Sequence, residues 1–377
     1  MLSTGDPTVY GNLLPPNVLT DAIVRNVRSM KHNGYLPAVG SAAARAAIAQ
    51  TESSPSFPVT KDDVVLTNGC LGAIQMAMWG LAGRGENILV PRPGFPVYEV
   101  TADAHNIEFR YYDLLPEKNW EADLAQMEAQ IDSNTRAILI NNPSNPCGSV
   151  YSKEHLEAIL RVAEANKVPI IADEIYGDMA FGANQFHPIG SLSTTVPVVT
   201  LGGLAKHFLV PGWRIGWLVV HDRNGVLARV KEAFLKLAQL TFAPNSLAES
   251  IVPELLTPTP GSDAEKQISE FKKSYFATLE ANAVFAKEAV DAIPGLELSI
   301  PQGAMYAMIK IDTNVLRGFK DDIDFAKRLI EEESVVVLPG QCFTLANYFR
   351  IVVAPPPTVL REAFARIADF CHRHATK

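Results

Sequence analysis

The sequence predicts an α/β protein: a mainly parallel, seven-stranded sheet flanked by helices, together with a smaller α+β domain. Short β-branched runs alternate with helical stretches from about Val64 to Val220, which is the pattern of βαβ units. Several runs are almost wholly apolar, as in strands covered on both faces. After Val220 the pattern changes to long helices and short, antiparallel-looking strands, so a second domain of a different kind is expected.

The large sheet is predicted from short apolar runs that are separated by helical stretches. The strand candidates are Val64–Leu66, Ile88–Val90, Ile107–Tyr112, Ala137–Asn141, Val168–Ala172, Val198–Leu201 and Ile215–Val220. Among the intervening helices, Glu121–Ile131 and Lys153–Asn166 carry apolar residues at helical spacing with charge on the other face.

The rest of the chain is predicted to contain two long helices, three strands and a closing helix. These elements are Val226–Leu240, Ala264–Ala292, Ala304–Ile311, Val335–Leu338, Phe349–Val353 and Thr358–His374. Because 377 residues exceed what one core usually supports, two domains are expected. Chain ends often lie close in space, so we predict a large domain over 34–284 and a small one made of 1–33 and 285–377.

Composition excludes several classes of function. The net charge is −8 and no dense Lys/Arg run occurs, so nucleic acid is not an expected partner. No apolar stretch reaches the roughly 20 residues of a membrane helix. The first residues show no secretory signal, so a cytoplasmic protein is expected, with a mitochondrial one left open. The four cysteines do not cluster with histidines, and no metal site is predicted.

Lys206 is the most informative residue, because apolar and glycine residues enclose it in VVTLGGLAKHFLVPGWRIGWLVV. A lysine usually lies in solvent, and one kept out of water is a nucleophile toward a carbonyl carbon. The alternative is a lysine at the tip of an ordinary strand–loop connection. This window alone leaves both interpretations open.

Two further motifs follow apolar strands. Asp173 ends the strand in IIADEIYG, at the edge where open α/β sheets bind ligands, and its carboxylate suits a protonated pyridine nitrogen. Tyr176 lies one helical turn later. In NNPSNPCG, two Asn-Pro pairs stiffen a loop that holds the Asn145 amide. A helix N-cap aspartate and an ordinary turn are the alternatives.

Three groups suited to binding anions are predicted. In LTNGCLGA a strand leads through a glycine turn into a helix, whose first N–H groups bind phosphate. Arg214 and Arg350 stand in apolar surroundings, and arginine matches phosphate or carboxylate in a bidentate way. A structural salt bridge is the alternative for each arginine.

Taken together, the Asn-Pro-x-Gly loop, the Asp-x-x-Tyr strand end and a lysine followed eight residues later by arginine resemble the class I aminotransferases of the type I pyridoxal-phosphate fold. Longer segments across nearly the whole chain resemble the tyrosine-specific branch of that family. They are GDPTVYGNL, NGYLPAVG, ILVPRPGFPVYE, NNPSNPCGSVYSKEHL, ADEIYGDM, GGLAKHFLVPGWRIGW and GAMYAM.

The resemblance implies that pyridoxal 5'-phosphate is the cofactor and that Lys206 carries it as a Schiff base. The catalytic residues would be Lys206, Asp173 and Tyr176, with Asp173 on the pyridine nitrogen. The other cofactor contacts it implies are Tyr176 and Asn145 at the 3-oxygen, Phe95 on the ring, the backbone of Cys70 and Leu71 and the side chain of Arg214 at the phosphate, and Tyr35 at the phosphate of a neighbouring subunit.

For substrates, the resemblance implies an amino acid, tyrosine in the first place, and 2-oxoglutarate or another 2-oxo acid, which react in ping-pong order. Arg350 would bind the α-carboxylate, helped by Asn145 and the backbone at Gly5. A homodimer with shared active sites is expected.

Three departures from the family pattern stand out. Gly203 and Ala205 replace serines that many relatives place before the lysine, so one phosphate hydrogen bond is expected to be missing. No arginine lies between Val230 and Pro260, which argues against dedicated aspartate specificity. The chain begins at its first motif, where relatives carry an N-terminal arm, so we expect a truncated arm.

Four other functions remain open from the sequence. These are a transaminase of broader neutral specificity (alanine, methionine), a carbon–sulfur lyase, a ligand-binding regulator without catalysis, and a dinucleotide-binding dehydrogenase. The last lacks a G-x-G-x-x-G turn, and no residues are left over for a regulator's DNA-binding module.

Overall fold

The computed structural model describes residues 1–55 and 57–375, which form two sheets surrounded by helices. The helices are α1 (Asn17–Ser29), α2 (Ala42–Glu52), α3 (Gly69–Leu81), α4 (Val97–Asp103), α5 (Leu124–Ala129), α6 (Lys153–Asn166), α7 (Ile189–Leu192), α8 (Leu204–His207), α9 (Ala228–Thr241), α10 (Ser246–Glu249), α11 (Val252–Leu256), α12 (Asp263–Asp291), α13 (Asp322–Glu333) and α14 (Pro357–His374). Within these ranges, no helix combines the length and apolar character that crossing a membrane requires.

The strands divide between a large and a small sheet. They are β1 (Val64–Asn68), β2 (Asn87–Arg92), β3 (Glu108–Leu115), β4 (Glu121–Ala122), β5 (Thr135–Asn141), β6 (Ile170–Asp173), β7 (Val198–Gly203), β8 (Ile215–His221), β9 (Leu296–Leu298), β10 (Tyr306–Ile311), β11 (Leu338–Pro339) and β12 (Tyr348–Val352). The order in the large sheet is β1-β8-β7-β6-β5-β2-β3-β4. Strand β8 runs antiparallel to both of its neighbours, whereas β3, β2, β5, β6 and β7 are mutually parallel. The predicted α/β class is confirmed.

The large sheet has eight strands where seven were predicted. The additional strand, β4, pairs with the end of β3 and occupies residues that were predicted as the start of a helix over Glu121–Ile131. That helix begins later because the Asp123 side chain accepts a hydrogen bond from the backbone N–H of Gln126, which caps α5 and leaves the preceding residues extended.

Alternating side chains of the large sheet contact helices on its two faces. Val90, Leu139 and Ile171 belong to one buried cluster with α3 and α9. Their neighbours Leu89 and Ile170 belong to another cluster, which includes α6. The strands are therefore apolar along their whole length because both faces lie in a core.

The small sheet is antiparallel throughout, in the order β11-β12-β10-β9. Strand β9 was not predicted, because its three residues carry no recognisable pattern. The start of the chain joins this region: the Leu2 N–H donates to Val336 O at 2.7 Å, and Leu2 O accepts from Val352 N at 2.9 Å. Helix α12 runs through the predicted domain boundary at 284/285 without a break. The limits of the two domains stay a prediction.

A close backbone contact fixes the start of α3 against β8. A Cβ atom built on Gly216 would overlap the backbone of Gly69 and Cys70. Only a residue without a side chain therefore allows this approach. The first turn of α3 is thereby held at the end of the sheet.

We expect Gly216→Ala to destabilise the fold by about 1–3 kcal/mol, because the overlapping atoms are backbone and cannot rotate away. Gly212→Ala is the matched control, since a Cβ there meets no atom within 4 Å. Denaturant unfolding of both variants measures the difference. Equal stability of the two variants would contradict the contact.

Candidate active site

The predicted site residues gather at the carboxyl ends of the central parallel strands. Asn141 at the end of β5 lies beside Asp173 at the end of β6, and Asp173 lies beside Leu201 of β7. Ligands of open α/β sheets bind at this edge. A cavity of about 430 Å³ opens there, lined by Thr4, Gly5, Asp6, Cys70, Leu71, Ile74, Phe95, Val97, Tyr98, Asn141, Asn145, Asp173, Ile175, Tyr176, Ala205, Lys206, Pro211, Arg214, Tyr306 and Arg350.

Asp173 is a buried carboxyl group with hydrogen-bond donors on both oxygens. Tyr98 Oη donates to Oδ2 at 2.7 Å, while Ile175 N donates to Oδ1 at 3.3 Å and Cys70 Sγ lies 3.7 Å from the same oxygen. Burial raises the pKa of Asp173, and these hydrogen bonds oppose the rise. No lysine, arginine or histidine pairs with it in the described ranges. A cationic group in the cavity would therefore be strongly attracted to it.

Lys206 lies in the short helix α8, directly after β7, and is half-buried. Its Nζ donates to Gly5 O at 2.5 Å, so the chain's first residues form one wall of the cavity. The structure thus brings the Lys206 amine and the Asp173 carboxylate into a single cavity.

One end of the cavity is suited to an anion. The first turn of α3 contains the N–H groups of Cys70 and Leu71, and its N-cap residue, Asn68, provides no side-chain hydrogen bond. Arg214 donates to Pro211 O and Asn68 O, both at 3.2 Å, and its guanidinium lies where a side chain on Gly69 would be. Gly203 and Ala205, the two positions named in the sequence analysis, provide no hydroxyl group to this anion site.

Arg350 is a buried arginine that lacks a carboxylate partner. It is 5% exposed. Its Nη1 donates to Asn145 Oδ1 at 2.8 Å and its Nη2 donates to Ser3 O at 2.7 Å, while Nε is buried and has no hydrogen-bond partner among the described residues. Burial lowers the pKa of Arg350. Neither Arg350 nor Arg214 pairs with a carboxylate of the described chain, so the salt-bridge alternative is wrong for both.

The Asn145 amide is positioned by its own loop. Asn141 Nδ2 donates to Asp173 O at 3.0 Å, and Asn141 Oδ1 accepts from Asn145 N at 2.7 Å. Asn141 therefore connects the loop that carries Asn145 to the end of β6, and Asn145 in turn contacts Arg350. This arrangement gives the amide the fixed orientation that the double Asn-Pro motif predicted.

The aromatic residues divide into two groups. Phe95 and Tyr176 line the cavity, and Tyr176 Oη forms a 2.7 Å hydrogen bond with Tyr306 Oη. Tyr35 is 96% exposed and lies outside the cavity, where its ring meets Phe242 at 6.0 Å. Tyr35 is the one predicted site residue that this single chain does not bring to the cavity.

Two tyrosines of the cavity were not singled out from the sequence. Tyr98 and Tyr306 lie in the segments GFPVYE and GAMYAM. Both segments supported the family resemblance, but neither tyrosine was given a role. Both are almost fully buried, and both hydroxyls bond to predicted site residues. A phenol in an otherwise apolar strand or helix is a weak signal, because burial of tyrosine is common.

Comparison with known proteins identifies the family to which this chain belongs. The model of the family "Aminotransferase class I and II" matches residues 1–367. Tyrosine aminotransferase of Mus musculus is 44% identical over 374 residues, which are 99% of this chain and 81% of the mouse protein.

Solved structures of aminotransferases share the fold of this chain. The crystal structure of tyrosine aminotransferase from Leishmania infantum superimposes with a TM-score of 0.94 at 36% identity, covering 100% of this chain and 92% of that one. Alanine aminotransferase from Pyrococcus furiosus gives a TM-score of 0.92 at 30% identity, covering 99% and 92%. On the family match, the sequence identity and the shared fold, this chain belongs to the class I and II aminotransferases.

Proposed function

We propose that this aminotransferase uses pyridoxal 5'-phosphate to move the amino group of an aromatic amino acid, tyrosine first among them, to 2-oxoglutarate or another 2-oxo acid. The observation that carries the proposal is a single cavity with three separate functional groups. It contains an amine on Lys206, a buried carboxyl group on Asp173 and a buried guanidinium on Arg350. Among the residues that the structure describes, neither Asp173 nor Arg350 pairs with a group of opposite charge.

The donors and acceptors of the cavity fit the proposed cofactor group by group. Asp173 would hold the protonated ring nitrogen. The N–H groups at the start of α3 and the Arg214 guanidinium would hold the phosphate, and Phe95 and Tyr176 would contact the ring and its 3-oxygen. When bound, pyridoxal phosphate supplies an aldehyde that links to amines and a cationic ring that takes up electrons.

The substrate is bound and deprotonated by residues of the chain. Arg350 would bind the α-carboxylate in a bidentate pair, with Asn145 Oδ1 fixing the plane of the guanidinium. Lys206 Nζ would then take the proton from the Cα of the amino acid, as general base, and pass it to the aldehyde carbon of the cofactor, as general acid. In the second half of the cycle it would carry a proton the opposite way, from that carbon to the carbonyl carbon of the oxo acid.

The preference for an aromatic substrate is supported by the lining of the cavity. Its basic side chains are Lys206, Arg214 and Arg350, all of which have roles above, so no arginine remains for a side-chain carboxylate. Leu71, Ile74 and Val97 add apolar surface. The two relatives named as tyrosine aminotransferases also favour it. The alanine aminotransferase of the same fold makes broader neutral specificity the second candidate.

We further propose a homodimer in which Tyr35 reaches the phosphate site of the partner. Tyr35 is a large aromatic residue at 96% exposure, and its ring lies 6.0 Å from that of Phe242, which is 54% exposed. A second copy covering this apolar surface would bury both side chains.

Substrate specificity is tested with single half-reactions. Cofactor-loaded protein is mixed with tyrosine, phenylalanine, alanine, methionine or aspartate, and the loss of visible absorbance is followed. We expect the fastest conversion with tyrosine, almost none with aspartate, and none with any amino acid for Lys206→Ala. Faster conversion with alanine would favour the second candidate, and full activity of Lys206→Ala would refute the mechanism.

Arg350→Leu tests the carboxylate site. Because it removes a buried, bidentate charge pair with the substrate, we expect kcat/KM for both the amino acid and the oxo acid to fall by about 100-fold, mainly through KM. Arg361→Leu is the control, since Arg361 is exposed on α14. Steady-state kinetics with both substrates provide the measurement, and an unchanged KM for both would remove Arg350 from this role.

A further inference from the structure

Tyr306 connects parts of the cavity that the proposed function treats separately. It is the first residue of β10 and is 2% exposed. Its backbone pairs with Val352 of the neighbouring strand β12, the strand that also carries Arg350. The position of its ring is therefore set by the small sheet, while its hydroxyl reaches Tyr176, in the turn that follows strand β6 of the large sheet.

Three groups of the proposed mechanism contact this one side chain. Tyr306 Oη is 2.7 Å from Tyr176 Oη, and the two rings meet edge to face with centroids 5.5 Å apart. The Arg350 guanidinium carbon lies 4.4 Å from the centre of the Tyr306 ring. A Cβ on Gly5, whose carbonyl oxygen binds Lys206, would stand 2.6 Å from the Tyr306 hydroxyl.

We infer that Tyr306 is a positioning residue for the proposed transamination: its hydroxyl donates to Tyr176, which leaves the Tyr176 hydrogen free for the cofactor's 3-oxygen, and its ring supports the Arg350 guanidinium. This inference rests on the proposed function. It assigns one side chain to both the cofactor end and the carboxylate end of the site.

The direction of the hydrogen bond follows from counting hydrogens. Two hydroxyl groups face each other, and only one hydrogen can lie between the oxygens. The ionised 3-oxygen accepts hydrogen bonds and donates none, so Tyr176 must use its own hydrogen there. Tyr306 must then be the donor within the pair. Burial raises the pKa of Tyr176, so Tyr176 keeps the hydrogen that it has to donate.

The two functions of Tyr306 can be separated by substitution. Tyr306→Phe removes the hydroxyl but keeps the ring under Arg350, whereas Tyr306→Leu removes both. We expect Tyr306→Phe to lower kcat several-fold with little change in KM for the amino acid. Tyr306→Leu should raise that KM as well, since Arg350 then loses one of its two aromatic contacts and keeps only Phe343, whose ring centre lies 4.8 Å from the guanidinium carbon.

The direct readout is the pH titration of the visible absorbance of the cofactor-loaded protein, with no substrate present. Without the donor behind it, Tyr176 stabilises the 3-oxyanion less, and that oxygen then attracts the nearby imine proton more strongly. We expect the midpoint for Tyr306→Phe to move upward by about 0.3–1 pH unit, the shift equivalent to one hydrogen bond.

Two comparisons make the titration specific. Tyr275→Phe is the matched control, because Tyr275 is also 2% exposed, but its hydroxyl has no partner in the described chain; its midpoint should equal that of the wild type. If Tyr306 acts through Tyr176, the double variant Tyr176→Phe/Tyr306→Phe should have the midpoint of Tyr176→Phe alone.

The outcomes separate this inference from the proposed function. A wild-type midpoint retained in Tyr306→Phe, or additive shifts in the double variant, would overturn the role of Tyr306 and leave the proposed function standing. A wild-type protein that gains no visible band with pyridoxal phosphate would overturn both. Thermal unfolding of Tyr306→Phe close to that of Tyr275→Phe would confirm that the shift does not come from misfolding.

Discussion

Buried charge without an internal counter-charge is the constraint on which the site depends. Asp173 and Arg350 are 2% and 5% exposed, and each is hydrogen-bonded to neutral groups instead of pairing with an ion of opposite sign. Removing such groups from water is costly. The two groups are therefore ready to bind ligands of opposite charge. Other parts of the fold must offset the free energy that burying them costs.

The architecture explains how these charges are held apart. Asp173 ends a central strand whose neighbours are apolar on both faces, so its backbone cannot shift without disturbing two cores. Arg350 belongs to the other sheet, and the first residues of the chain contact both regions through Ser3 O and Gly5 O. The cavity therefore lies at the junction of two sheets. Asn145 bonds to Arg350 of the small sheet and to Asn141 of the large sheet, while Tyr306 of the small sheet bonds to Tyr176, in the turn after β6.

Much of this arrangement could be predicted from the sequence, because it depends on local patterns. The apolar strands, the helix over Lys153–Asn166 and the strand-end position of Asp173 need only periodicity and the rule that ligands bind beyond strand ends. The short strands β4 and β9 could not be predicted, since two or three residues pair only where a longer strand already presents a free edge.

The contributions of Tyr98 and Tyr306 could not be predicted from the sequence either, for a different reason. Each hydroxyl finds its partner on an element 75 or 130 residues away. Such a pairing depends on tertiary packing and leaves no spacing pattern in the chain. Tyr35 shows the opposite case: the resemblance suggested its role, yet the folded single chain leaves it exposed, so its test needs the assembled protein.

The central claim is that one particular amine, Lys206, bonds to the cofactor opposite the buried carboxylate of Asp173. Borohydride reduction of the protein loaded with pyridoxal phosphate would make such a bond permanent, and peptide mass mapping would locate it. The account predicts one modified residue, Lys206, with a mass increase of one reduced cofactor. Modification of a different lysine, or of none, would contradict it.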